Sequence, residues 1–241
     1  MSEAFILAWN EEETIHLTIK HYQNFCSSIV LMDNHSTDRT VEIAKSMGCK
    51  VKTFGVPGVL DDETYKNVKN ECWKKSHPGK DRRNWVIVCD ADEILWYPPE
   101  EPIGYACTIF KTYGWNVFSH EMPKENWLEI TNGHHEPNYN KTVIFDPKQI
   151  TDINFRIGAH VSSPKGNVIW SDDTLYLFHY RNVGGPQRLV DRHNLYRPRM
   201  SEANKAKRFG IHYLWEDEVR VKEWEEKYER SKHFVGVGIS Y

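Results

Sequence analysis

The stretch WVIVCDADEIL, residues 85–95, runs an apolar segment straight into two aspartates and a glutamate. A short apolar run of this kind reads as a strand buried on both faces, as in a parallel sheet covered by helices. Asp90, Asp92 and Glu93 then crowd three carboxylates into four residues. Their mutual repulsion calls for a cation, or for open water, at the end of that strand.

Upstream of it, strand and helix alternate. AFILAW (4–9) and SIVLMD (28–33) are further apolar runs, and KVKTF (50–54) is a weaker one. Between them Ile15, Ile19, Tyr22 and Cys26 recur at helical spacing, and STDRTVEIAKSMGC (36–49) reads as a helix that Gly48 stops. After the loop GVPGVLDD (55–62), Tyr65, Val68 and Cys72 share one helical face. This order predicts an α/β fold whose N-terminal half is a mainly parallel, Rossmann-like sheet flanked by helices. Past Asp92 the pattern becomes short irregular strands (141–146, 168–170, 174–180), with WYPPEEP (96–102) barring a helix. From 186 the chain turns helical and charged, with Glu216/Arg220 and Glu218/Lys222 at i,i+4. No repeat or linker divides it, so 1–241 reads as one domain with halves 1–95 and 96–241.

The bulk numbers narrow the function. At a net charge of −3, no basic field argues for nucleic acid. Nine Trp and twelve Tyr suit either a packed core or sugar-stacking surfaces. Cys26, Cys49, Cys72, Cys89 and Cys107 are odd in number with no C-x-x-C pair, which reads as reduced thiols and a cytoplasmic setting. No apolar run approaches the ~18 residues of a transmembrane helix, which leaves peripheral membrane contact open.

In an open parallel sheet, ligands bind beyond the carboxyl ends of the strands. That rule selects Trp9, Asn10 and Glu11; Asp33, Asn34, His35 and Ser36; and Asp90, Ala91 and Asp92. Gly-rich phosphate loops are absent, so a bound nucleotide would need a cation at its phosphates. Two carboxylates at Asp-x-Asp spacing suit Mg²⁺ or Mn²⁺, hard cations that take oxygen ligands; two hydrated acids are the plainer alternative. Asp33 could accept from a base N–H or a ribose hydroxyl, while Ser36, Thr37 or Asp38 caps the next helix.

LAWNEEE, VLMDNHSTDRT, NVKNECWK and WVIVCDADE, in this order, resemble the N-terminal half of family 2 glycosyltransferases with the GT-A fold. YNKTVIFDPKQI, GAHVSSPKG and LFHYRNVG extend the likeness to a small bacterial and viral branch carrying a DADE motif. The resemblance implies a nucleotide-binding half (1–95), an acceptor-binding half (96–241) and a nucleotide-diphosphate sugar donor, a UDP-sugar first. A glycan or glycoconjugate would be the acceptor. Ala8, Trp9, Asn10 and Glu11 would line the nucleotide pocket, and Asp33 would meet the base. Asn67, Lys69 and Asn70 fall near the donor ribose and sugar, where many members carry Arg. Asp92 first, and Asp90 as a metal or sugar contact, would bind Mn²⁺ or Mg²⁺, with Ala91 beside the donor. A histidine from the second half would complete the metal shell: His160 first, His179 second. Lys141 or Arg181 would face the leaving diphosphate.

Such enzymes invert the anomeric centre with one carboxylate base. Glu121, at the end of a strand-like run, is the first candidate, ahead of Glu125, Glu129, Glu136, Asp172 and Asp173. Two other readings compete: a nucleotidyltransferase or metal-dependent phosphohydrolase, and a non-catalytic sugar-binding module.

Overall fold

The computed structural model describes residues 2–75, 85–96 and 106–234; the Pro-rich stop expected at 96–102 lies outside them from 97 onward. The first half contains β1 (Ser2–Ala8), α1 (Ile15–Gln23), β2 (Cys26–Asp33), α2 (Thr40–Ser46), β3 (Lys50–Thr53), α3 (Asp62–Glu71), β4 (Val86–Asp90) and β5 (Glu93–Trp96). The second contains β6 (Ile109–Ser119), β7 (Asn132–His135), β8 (Ile144–Phe145), β9 (Ile150–Asp152), β10 (Lys165–Gly166), β11 (Trp170–Val183), α4 (Gly185–Tyr196), α5 (Glu202–Lys207), α6 (Asp217–Arg230) and β12 (Lys232–His233).

The expected α/β fold is present. β1 lies between β2 and β4 and runs parallel to both, and β3 adds parallel to β2. Alternate β1 residues feed opposite cores. Ala4, Ile6 and Ala8 pack with Ile15, Ile19 and Tyr22 of α1, while Phe5 and Leu7 pack with Tyr65, Val68 and Cys72 beside α3. A strand buried on both faces must be apolar throughout, which is why these strands read as unbroken runs. Gly48 ends the second helix at φ +83°, a left-handed conformation that glycine adopts without a Cβ penalty.

β8 joins the halves by pairing antiparallel with β4, and β6 continues the sheet from β8. β11 then pairs parallel with β6 and antiparallel with β5. The runs at 168–170 and 174–180, expected as separate strands, are largely one long strand. The polar break is absorbed as a register shift between Trp170 and Thr174 against β6. None of the five cysteines is joined in a disulfide, and no described helix is long and apolar enough to cross a membrane.

Candidate active site

The register places Ala8 beside Asp33 and Leu7 beside Asp90, so three strand ends line one edge of the sheet. Chain order reverses across β1, with β2 on one side and β4 on the other. That reversal opens a crevice beyond the carboxyl ends. A cleft of about 650 Å³ occupies it.

Of the residues singled out in the sequence, Ala8, Trp9, Glu11, Lys69, Asp90, Ala91, Asp92, Lys141, His160, His179 and Arg181 line this cleft. Asn10, Asp33, Asn67, Asn70 and Glu121 do not border it. Asn10, at φ +51°, spends its amide on the β2–α2 loop, where its Oδ1 accepts from Thr37 N at 2.8 Å. Asp33 is buried, and both its oxygens accept from Ser36 N at 3.2 Å. Asn70 exchanges hydrogen bonds with the Phe155 backbone, and with Asn67 it borders a separate hollow between α3 and residues 152–157. Glu121 stands exposed after β6.

The DADE turn is fixed from behind. Glu93 is 1% exposed and pairs with Lys141, which is also buried, and it accepts from Asp90 N at 3.0 Å. Burial, the largest single influence, raises the Glu93 pKa, but Lys141, Lys69 and His179 together outweigh it and hold the carboxyl far below its usual range. Lys69 binds Asp90 at 2.7 Å. Asp92 remains open toward the cleft, where β11 delivers His179 with Nε2 at 3.7 Å from Asp92 Oδ2. Burial pushes His179 down to about 3, so the imidazole is neutral, the form that ligates metals.

Among the described residues no three His, Cys, Asp or Glu side chains are grouped to hold a metal. A Mg²⁺ or Mn²⁺ site does not require three, since such ions keep waters and substrate phosphates. Neighbouring ligands of an octahedral ion at bonds of about 2.1 Å lie about 3.0 Å apart, so this pair, at 3.7 Å, needs only a small side-chain closure to share one ion. Asp92 and His179 therefore fit a hard cation as a pair. His160 borders the same cleft, but its Nδ1 bonds the Asn138 carbonyl.

The opposite wall comes from residues that sequence spacing had not marked. Arg192 of α4 clamps Glu11 with two hydrogen bonds, one of 2.8 Å. Tyr139 lies over His179 with ring centroids 4.2 Å apart. Tyr196, His212 and Tyr213 complete the wall, with Asp62 at the start of α3. Of the base candidates named above, Glu136 borders the cleft, half-buried at the start of the 137–139 turn, where it accepts from Asn138 N.

No family model matches the sequence. Over 101 residues it is 32% identical to an uncharacterized glycosyltransferase of Rickettsia typhi, covering 42% of this chain and 31% of that one. A counterpart from Rickettsia bellii is 29% identical over 102 residues, covering 42% and 31%. The chain thus spans about a third of the length of the curated relatives it matches. Among solved structures, glucosyl-3-phosphoglycerate synthase of Mycobacterium tuberculosis, in complex with Mn²⁺, UDP and glucosyl-3-phosphoglycerate, is 20% identical at a TM-score of 0.32. That match covers 47% of this chain and 44% of the other, too slight a likeness to carry an argument.

Proposed function

We propose that the chain is a metal-dependent, inverting glycosyltransferase of the GT-A type that uses a nucleotide-diphosphate sugar, a UDP-sugar first. The observation that carries this reading is the Asp92–His179 pair, set beside Asp90 at the carboxyl edge between β1 and β4. The partial likeness to curated glycosyltransferases supports it.

The residues divide the work. Trp9 and Glu11 line the nucleotide end of the cleft, Glu11 held by Arg192. Asp92 and His179 would hold the cation, which offsets negative charge on the diphosphate when bound. Glu136, in place of Glu121, takes the proton of the acceptor hydroxyl. The hydroxyl oxygen bonds to the anomeric carbon as the bond to the diphosphate oxygen breaks, and that oxygen keeps the electron pair. A single displacement inverts the centre. Arg181 faces the departing diphosphate, while Lys141 is committed to Glu93 and acts by holding the turn.

The test is nucleoside diphosphate release from a panel of nucleotide sugars with and without Mn²⁺. Release that needs the metal and is lost in Asp92→Ala is expected. Pyrophosphate as the product would favour a nucleotidyltransferase, and binding that survives chelator without turnover would favour a sugar-binding module.

A further inference from the structure

Trp9 and Asn34 follow the carboxyl ends of β1 and β2, where an open parallel sheet binds its ligands, yet neither Asp33 nor Asn34 borders the cleft. Arg199 covers them. Its guanidinium carbon lies 3.4 Å from the Trp9 ring centre, and its Nη2 donates to Asn34 Oδ1 at 2.5 Å. Tyr65, which borders the cleft, donates to the same oxygen at 3.2 Å. The guanidinium thus fills the space between the indole face and the end of β2.

The backbone that carries Arg199 is pinned. Leu60 N donates to Arg199 O at 2.6 Å, and Ser201 N donates to Leu60 O at 2.9 Å. Ser201 Oγ also donates to Asp61 Oδ2 at 2.8 Å. The side chain is held far less well. It is 6% exposed, and among the described residues its Nε and Nη1 have no hydrogen-bond partner and no carboxylate pairs with it. Burial also pulls its pKa down. A buried guanidinium kept only for stability would have its donors satisfied. This one offers a flat face to Trp9 and a polar edge to Asn34, the two features that a pyrimidine base would offer there.

We propose that Arg199 is a displaceable plug of the nucleobase slot, and that a base enters against Trp9 and Asn34 only when the guanidinium swings out. That the entering group is a nucleobase rests on the glycosyltransferase reading.

Calorimetric titration of the wild type and Arg199→Ala with UDP and with inorganic pyrophosphate, both in Mn²⁺, tests it. Apparent affinity scales with the fraction of slots that are open, so a plug in place about nine-tenths of the time lowers it about tenfold. Arg199→Ala should therefore bind UDP about tenfold tighter or more, with pyrophosphate affinity unchanged. An arginine that supported Trp9 or touched the base would give the opposite sign. Unchanged or weaker UDP binding by the variant overturns the proposal, and so does an equal gain for pyrophosphate, which has no base. If Arg199→Ala does not fold, a crystal structure of the wild type with UDP decides. The guanidinium should have left Trp9; finding it still against the indole with UDP bound overturns the plug. Failure of the glycosyltransferase reading would show separately, as tighter UDP binding by the variant without nucleoside diphosphate release from any nucleotide sugar. No UDP binding by either form overturns both.

Discussion

At the scale of single residues, Asp62 shows what the cleft does to a carboxyl group. Burial first, then repulsion from Asp61, pushes its pKa up to about 6 from 3.8, against the pull of Lys69. An acid whose folded pKa is raised contributes stability that is full below pH 3.8 and lost as pH rises through 6. The whole shift would correspond to roughly 3 kcal/mol, and partial exposure reduces that to about 1–2 kcal/mol. Asp62→Asn should therefore unfold at higher urea than the wild type at pH 8, and the advantage should vanish at pH 4. The Glu93–Lys141 pair makes the opposite case. Removing one partner leaves the other charged and buried, at a cost of about 3–5 kcal/mol. Denaturation of Glu93→Gln and of Lys141→Met should each show such a loss, with the double variant Glu93→Leu/Lys141→Met less destabilised than either. Asp90 and Asp92 were legible because a core strand aims them at the sheet edge. Asp62 was not, because beyond its near neighbours Asp61 and Lys69 its environment is made by Asp90 and the 208–210 loop, far apart in the chain.

At the scale of elements, β11 decides the site. Its antiparallel register with β5 sets His179 opposite Glu93, and Tyr180 N donates to Asp92 O at 2.8 Å. Histidine, two residues on from Leu177 along the strand, then shares a face with Arg181. The 137–139 turn that carries Tyr139 reaches this face because β6 has a glycine beneath it. A Cβ on Gly114 would lie 2.2 Å from the Tyr139 backbone carbon. Gly114→Ala should therefore destabilise by about 1–3 kcal/mol and also weaken donor binding, because Tyr139 shifts off His179. Melting temperature and nucleotide affinity measured on one preparation check both effects. If affinity holds while stability falls, the turn has no part in the site. Sequence patterning missed this contact. Alternation marks a strand's two faces but not which distant turn crosses over it.

At the scale of the whole molecule, the cleft is bounded by both halves of the chain, so a ligand in it links them. Ligand at about 100 times its Kd adds about 2.7 kcal/mol. For a chain of this size that is a rise in Tm of roughly 5–10 °C. A nucleotide sugar with Mn²⁺ should produce such a shift in a thermal scan, and either alone should produce much less. An equal shift from the nucleotide sugar in chelator would remove the metal from the account.

The α/β class, the succession of strands and helices in the first half and the carboxylates at the strand ends were determined by the sequence alone. Unbroken apolar runs have no other economical burial, and a strand's last residue must emerge at the sheet edge. The tertiary structure decided what faces those carboxylates. It put His179 at Asp92, Arg192 on Glu11 and Glu136 in the cleft, and it left Glu121 in solvent. Those partners come from a long strand, a short turn and a helix whose meeting depends on sheet register and on the close approach at Gly114. No periodicity within a segment encodes a meeting of that kind.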